Sequence, residues 1–203
     1  MTQQRHPQRF IGAAILLAAA FWMTSCNSLE NETQSASLLT VESITGLDTA
    51  GGEGNFIQSD VLYVDTATGA TAVRADSATV IFRASTLDPA PILGTSQYND
   101  IQVTRYVVTY IRADGRNVQG IDVPYSFEGG LSVVVRIGVS AAASFIIVRD
   151  VAKQEPPLFN LRAGFPGDLL NVTARVDFYG RDLANKTVKA TGMIPITFAN
   201  YGN

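Results

Sequence analysis

The chain has 203 residues but only one cysteine, one histidine and one tryptophan. Cys26, His6 and Trp22 all lie within the first 26 positions. From residue 27 onward there is no thiol, no imidazole and no indole. This excludes an intramolecular disulfide, zinc sites built from Cys and His, and the serine or cysteine nucleophiles that lean on a histidine base. Carboxylate pairs, serine–lysine dyads and calcium sites survive the exclusion. Positive charge is also short, with 15 Lys and Arg against 18 Asp and Glu. A dedicated nucleic-acid binder needs a basic stripe to neutralise phosphates, so nucleic acid is not an expected partner.

What is present begins with Arg5 and Arg9, followed by an uncharged run, FIGAAILLAAAFWM, from Phe10 to Met23. Crossing the hydrocarbon core takes about 20 apolar residues, so this run is too short for a comfortable span and fits the apolar middle of an export signal. The two arginines keep its start cytoplasmic. Beyond Cys26 the stretch NSLENETQSAS is polar and poor in aromatics, the composition of a flexible spacer.

Met23-Thr24-Ser25-Cys26 resembles a bacterial lipobox, in which two small residues precede a cysteine. The resemblance implies a signal peptide over residues 1–25, lipid attachment at Cys26, and a lipidated cysteine and linker over 26–37. It also accounts for the lone thiol, which acylation would remove from an oxidising compartment. Each buried methylene is worth roughly 0.8 kcal/mol, and lasting attachment takes more than one acyl chain, which a diacylglycerol thioether supplies. In proteins of this kind an aspartate after the cysteine signals retention in the inner membrane. Asn27 stands there, so the resemblance implies the outer membrane of a bacterial envelope, on its periplasmic or outward side. Cleavage takes 25 of 203 residues and leaves 178, enough for one domain with a substantial core. It also removes two of the 15 basic residues and no acidic one, which moves the formal net charge from −3 to −5.

Residues 38–203 read as an all-β domain of about eight or nine strands. Val172, Ala174, Val176 and Phe178 alternate with polar residues, and Val188, Ala190, Ile194, Ile196 and Phe198 share a face of the next run. The two runs predict an antiparallel hairpin around DLANK. Pro195 cannot donate to a ladder and marks an edge strand or bulge. Upstream, 38–44, 61–64, 78–84, 101–112 and 131–137 read as strands. The stretch 121–127 reads as a second edge strand, with Ile121, Val123, Tyr125 and Phe127 alternating against Asp122, Pro124 and Ser126, and Gly129-Gly130 as the turn after it. Residues 140–154 carry helix-favouring alanines but also the β-rich block Phe145-Ile146-Ile147-Val148, and read as a strand. A short helical turn and a crossing loop follow. The pattern resembles immunoglobulin-like or fibronectin-type-III-like β-sandwiches, which implies an antiparallel two-sheet domain. It also resembles small bacterial lipoproteins without an assigned activity.

No catalytic, cofactor or metal residue is expected. Tyr106 and Tyr110 share one face of 101–112 and Tyr179 projects from the hairpin, so neighbouring strands could assemble them into an aromatic interaction surface. Strand propensity alone also accounts for them. Arg175, Asp177, Arg181 and Asp182 read as solvated cross-strand charges. Asp48, Glu53, Asp60 and Asp65 offer oxygens for calcium but match no EF-hand spacing. The Asn-x-Thr triplets at Asn31, Asn171 and Asn185 read as chance, and Gly51-Gly52-Glu53-Gly54 lacks the lysine of a phosphate loop. Two functions stay open. The leading one is a non-enzymatic, lipid-anchored module that binds or positions another envelope protein. The alternative is a small-ligand binder for carbohydrate, using the three tyrosines or the loops at one end of the sandwich. Hydrolysis by a carboxylate pair is a third, with no pair placed by the sequence.

Overall fold

A computed structural model of the chain describes residues 35–65, 67–91, 94–163 and 168–201. The signal peptide, Cys26 and the linker up to residue 34 lie outside the described residues.

The described chain is all-β. It opens with β1 (Ser37–Leu47), β2 (Glu53–Gly54), β3 (Ile57–Asp60), β4 (Tyr63–Val64) and β5 (Thr71–Ala72). Then come β6 (Asp76–Thr86), β7 (Ile101–Ile111), β8 (Phe127–Val135), β9 (Ser140–Val148), β10 (Leu169–Asp182) and β11 (Thr187–Ala199). One sheet has the order β2-β1-β6-β9, a second the order β3-β11-β10-β7-β8, and β4 and β5 form a small ribbon. Among the described residues, helix is confined to short 3-10 turns, Gln97–Asn99, Val151–Gln154 and Leu158–Ala163. No described helix is long and apolar enough to cross a membrane.

The two large sheets meet face to face because each contributes an alternating apolar row. Val80 and Phe82 of β6 are fully buried, as are Ala174, Val176 and Phe178 of β10 and Ile194 and Phe198 of β11. Phe178 lies between the sheets, with its ring 4.8 Å from Phe82 and 5.4 Å from Phe145, both near-perpendicular. Edge-to-face contacts of this kind add about 0.5–1.5 kcal/mol to the burial of the rings.

The β10–β11 hairpin forms as its alternation predicts, with Val172 opposite Ile196 and Phe178 opposite Ala190. Its last strand is not outermost along its whole length, because β3 pairs with it in parallel from Ile196 to Ala199. Pro195 sits one residue before that pairing, where its missing N–H costs no β3 hydrogen bond. The 140–154 region divides, with a strand to Val148 and a 3-10 turn over Val151–Gln154.

Two expectations fail between β7 and β9. Residues 121–126 form a loop, with Ile121 and Tyr125 exposed and only Val123 and Pro124 buried, so their alternation does not mark a sheet face. Gly129-Gly130 makes no turn and lies inside β8. The reason is a close approach: a Cβ on Gly129 would sit 2.3 Å from Tyr106 ring atoms, so this position must stay bare for the ring to cross it.

The chain joins β1 at what we term the near pole. Ser35 Oγ donates to Asp182 Oδ2 at 2.6 Å, and Ser37 Oγ donates to the Asn99 carbonyl at 2.7 Å. Both serines are buried against the β-domain. β1, eleven residues long, spans about 35 Å to the opposite, far pole.

Candidate functional site

The far pole gathers the ends of β1, β3, β7 and β9 and the starts of β6 and β8. Two features stand there: a cleft over a buried ion pair, and an internally hydrogen-bonded loop with exposed apolar side chains.

The cleft encloses about 230 Å³ and is bordered by Asp48, Gln58, Tyr63, Arg74, Asp76 and Lys153, among others. Lys153 comes from the turn after β9, and its side chain is only 1% exposed. A buried ammonium persists only when paired and hydrogen-bonded. Lys153 Nζ donates to Asp76 Oδ1 at 3.0 Å and to the Asp60 carbonyl at 2.8 Å. Ser59 Oγ donates to the other Asp76 oxygen at 2.5 Å. Burial pushes the Asp76 carboxyl above its ordinary value, outweighing the Lys153 ammonium and the Ser59 hydroxyl, which pull it down. The chain Ser59–Asp76–Lys153 ties β3, β6 and the post-β9 turn together. It offers no nucleophile, since the Ser59 hydroxyl is fully buried and engaged by the carboxylate.

At the rim, the Arg74 guanidinium lies 3.6 Å over the Tyr63 ring centroid. Gln58 Oε1 accepts from the Thr49 backbone N–H and hydroxyl, and Asp48 Oδ1 accepts from the Gly52 N–H at 2.6 Å. These bonds hold the groups facing the cleft in fixed orientations.

The loop 112–126 joins β7 to β8 and is braced internally. Asp114 takes both Arg112 and Arg116, and the Arg112 N–H donates to Asn117 Oδ1 at 2.7 Å. The Asp122 N–H donates to the Val118 carbonyl at 2.8 Å, and the Gly120 N–H to the Val123 carbonyl at 2.8 Å. The Arg112 hydrogen bond, aided by Arg116, holds the Asp114 carboxyl down at about 2. The braced loop exposes Val118, Ile121 and Tyr125, with Ile121 71% accessible.

The three tyrosines expected to share a surface do not meet. β7 and β10 are neighbours, but Tyr106 pairs with Phe178 in the register, and both point into the core. Tyr106 is 3% and Tyr110 2% exposed. The Tyr110 hydroxyl donates to the Ile147 carbonyl at 2.8 Å, and burial, then the nearby Asp76 charge, raises its pKa. Tyr179 projects from the opposite face of the sheet, with Arg105 4.3 Å and Lys189 5.3 Å from its ring centroid.

Of the expected surface charges, Asp177 is buried against Arg175 at 2.8 Å, Lys189 at 3.3 Å and Thr191 at 2.6 Å. Burial alone would raise its pKa, but these bonds outweigh it and leave the carboxyl lowered. Asp182 is buried at the hairpin end, where it accepts from Ser35 and the Lys186 N–H. Arg181 donates to Asn185. The four acids weighed for calcium do not converge: Glu53 accepts from Thr45, Asp65 closes its own turn through Ala67 and Thr68, and only Asp48 and Asp60 border the cleft. Among the described residues no three His, Cys, Asp or Glu side chains are grouped to hold a metal.

Sequence reasoning missed Lys153, Asp76 and Arg74. Lys153 and Asp76 are 77 positions apart, and neither lies in a motif. Compared with protein-family models, curated proteins and solved structures, the chain matches none.

Proposed function

We propose that this is a lipid-anchored bacterial envelope protein, held at the outer membrane through Cys26, whose β-domain is a non-enzymatic protein-interaction or structural module. We further infer an immunoglobulin-like sandwich, a reading supported by the two facing sheets and by a chain that passes repeatedly from one to the other. The observation that carries the functional reading is polarity along the strands. The chain joins the domain at the near pole, fastened through Ser35 and Ser37, while the braced loop with Val118, Ile121 and Tyr125 stands at the far pole. That loop, at the pole opposite Ser35, is the surface proposed to meet another envelope protein. A rigid loop loses little conformational entropy on docking, and exposed apolar side chains gain from desolvation.

The test is cross-linking and pull-down from native membranes with the full acylated chain. A defined partner should be recovered and should be lost with Ile121→Asp. Repeated recovery of nothing, or an unchanged partner with Ile121→Asp, counts against the module. The anchor is tested separately: Cys26→Ser should abolish lipid labelling and membrane retention, and unchanged labelling overturns it.

A further inference from the structure

The far-pole cleft is lined by charged groups of both signs. Arg74 lies over the Tyr63 ring, and among the described residues it takes part in none of the ion pairs. Asp65 feels its charge but spends its Oδ1 on the Ala67 and Thr68 N–H groups. A guanidinium held by ring stacking presents its planar fork edge-on, the geometry that takes a carboxylate through two parallel hydrogen bonds. Gln58 commits its carbonyl oxygen to Thr49, which leaves its two amide N–H donors for the cleft side. Lys153 uses two of its three N–H donors on Asp76 and the Asp60 carbonyl.

Against these donors stands Asp48, whose Oδ1 is taken by Gly52 while its Oδ2 carries no described partner. Asp48, Asp60 and Asp76 outnumber Arg74 and Lys153, so the lining is net negative by one charge. A simple anion would be repelled by that balance, and a simple cation would leave the stacked guanidinium unmatched. Leu47 and Ile57 also line the cleft and add apolar surface to it.

We propose that this cleft binds a small zwitterion of the amino-acid class, with Arg74 holding its carboxylate and Asp48 its ammonium, and that the net negative lining favours a basic side chain. This goes beyond the interaction module and is independent of it, because the cleft is lined from β1, β3, β4, β6 and the turn after β9, whereas the braced loop joins β7 to β8.

The test is isothermal titration of the full chain in detergent with four probes: L-lysine, L-alanine, acetate and butylamine. L-lysine should bind more tightly than L-alanine, and acetate and butylamine should each bind at least about tenfold more weakly than L-lysine, since each satisfies one of two charge-assisted contacts. Arg74→Gln and Asp48→Asn should each weaken L-lysine by about tenfold or more. Both side chains lie at the rim, and thermal melting of each variant should match the parent. Arg116→Gln in the braced loop should leave binding unchanged. Absence of any heat with L-lysine and L-alanine at about 10 mM, above the weakest range that titration reads as a defined site, overturns the proposal. So does acetate binding as tightly as L-lysine, or L-lysine binding that survives both rim substitutions.

Discussion

The hydroxyl of Tyr110 donates to the carbonyl of Ile147 at 2.8 Å, joining β7 of one sheet to β9 of the other. The β6–β9 register shifts at this point, pairing Asp76 with Val148 and Ser77 with Ile146, so Ile147 has no partner on β6. A bulge leaves its extra residue outside the ladder, and a tyrosine from the facing sheet supplies the missing donor. Tyr110→Phe should therefore cost about 1–3 kcal/mol, the penalty of a buried carbonyl left bare, read from urea unfolding. An unchanged midpoint would show that another donor reaches Ile147.

Lys153 and Asp76 should behave as a pair. Lys153→Met removes the cation and leaves a carboxylate in a largely buried site, a loss of about 3–5 kcal/mol. Adding Asp76→Leu should recover a large part of that loss, because the second change removes the stranded charge. Chemical denaturation of the two single variants and the double variant measures the coupling, and additive losses would contradict it.

Adjacent glycines in β8 should respond in opposite ways. Gly129→Ala brings a methyl group to 2.3 Å from Tyr106 and should cost about 1–3 kcal/mol as the buried ring is forced aside. Gly130 has nothing within 4 Å of its would-be Cβ, so Gly130→Ala should change stability by less than about 1 kcal/mol. Thermal melts of the two variants decide this, and equal effects would mean that the Tyr106 ring yields without strain.

The braced loop carries its own pH signature. Arg112 and Arg116 hold the Asp114 carboxyl at about 2, below its ordinary 3.8. With the folded value depressed, the contribution of this contact is present above pH 3.8 and is lost as pH falls through about 2. Carboxyl NMR should give a midpoint near 2 for Asp114, moving upward in Arg112→Ala. A midpoint that ignores Arg112 would place the brace elsewhere.

Legibility followed the range of the interactions involved. The β10–β11 hairpin was readable because Val172 to Phe178 and Val188 to Phe198 alternate around a short turn, so the pairing is local. Alternation misled at 121–127, where Ile121 and Tyr125 repeat at period two yet face solvent from a loop. Its bracing rests on Asp122, Gln119 and backbone contacts that no periodicity reports. That Tyr106 and Tyr110 share a face could be read from spacing, but not that the face is the core, since β7 carries apolar residues on both sides. Lys153 was invisible for a different reason: its partner lies on a distant strand, and a lone lysine after a strand ordinarily faces water.

The long antiparallel seam between β1 and β6, running from Ser37 opposite Thr86 to Gly46 opposite Ala78, has a mechanical consequence. A pull applied upstream of Ser35 and resisted at the far pole acts along the strand axis. The seam then resists in shear, with its hydrogen bonds strained together rather than unzipped in turn, and the Ser35–Asp182 contact is the first fastening among the described residues to feel the force.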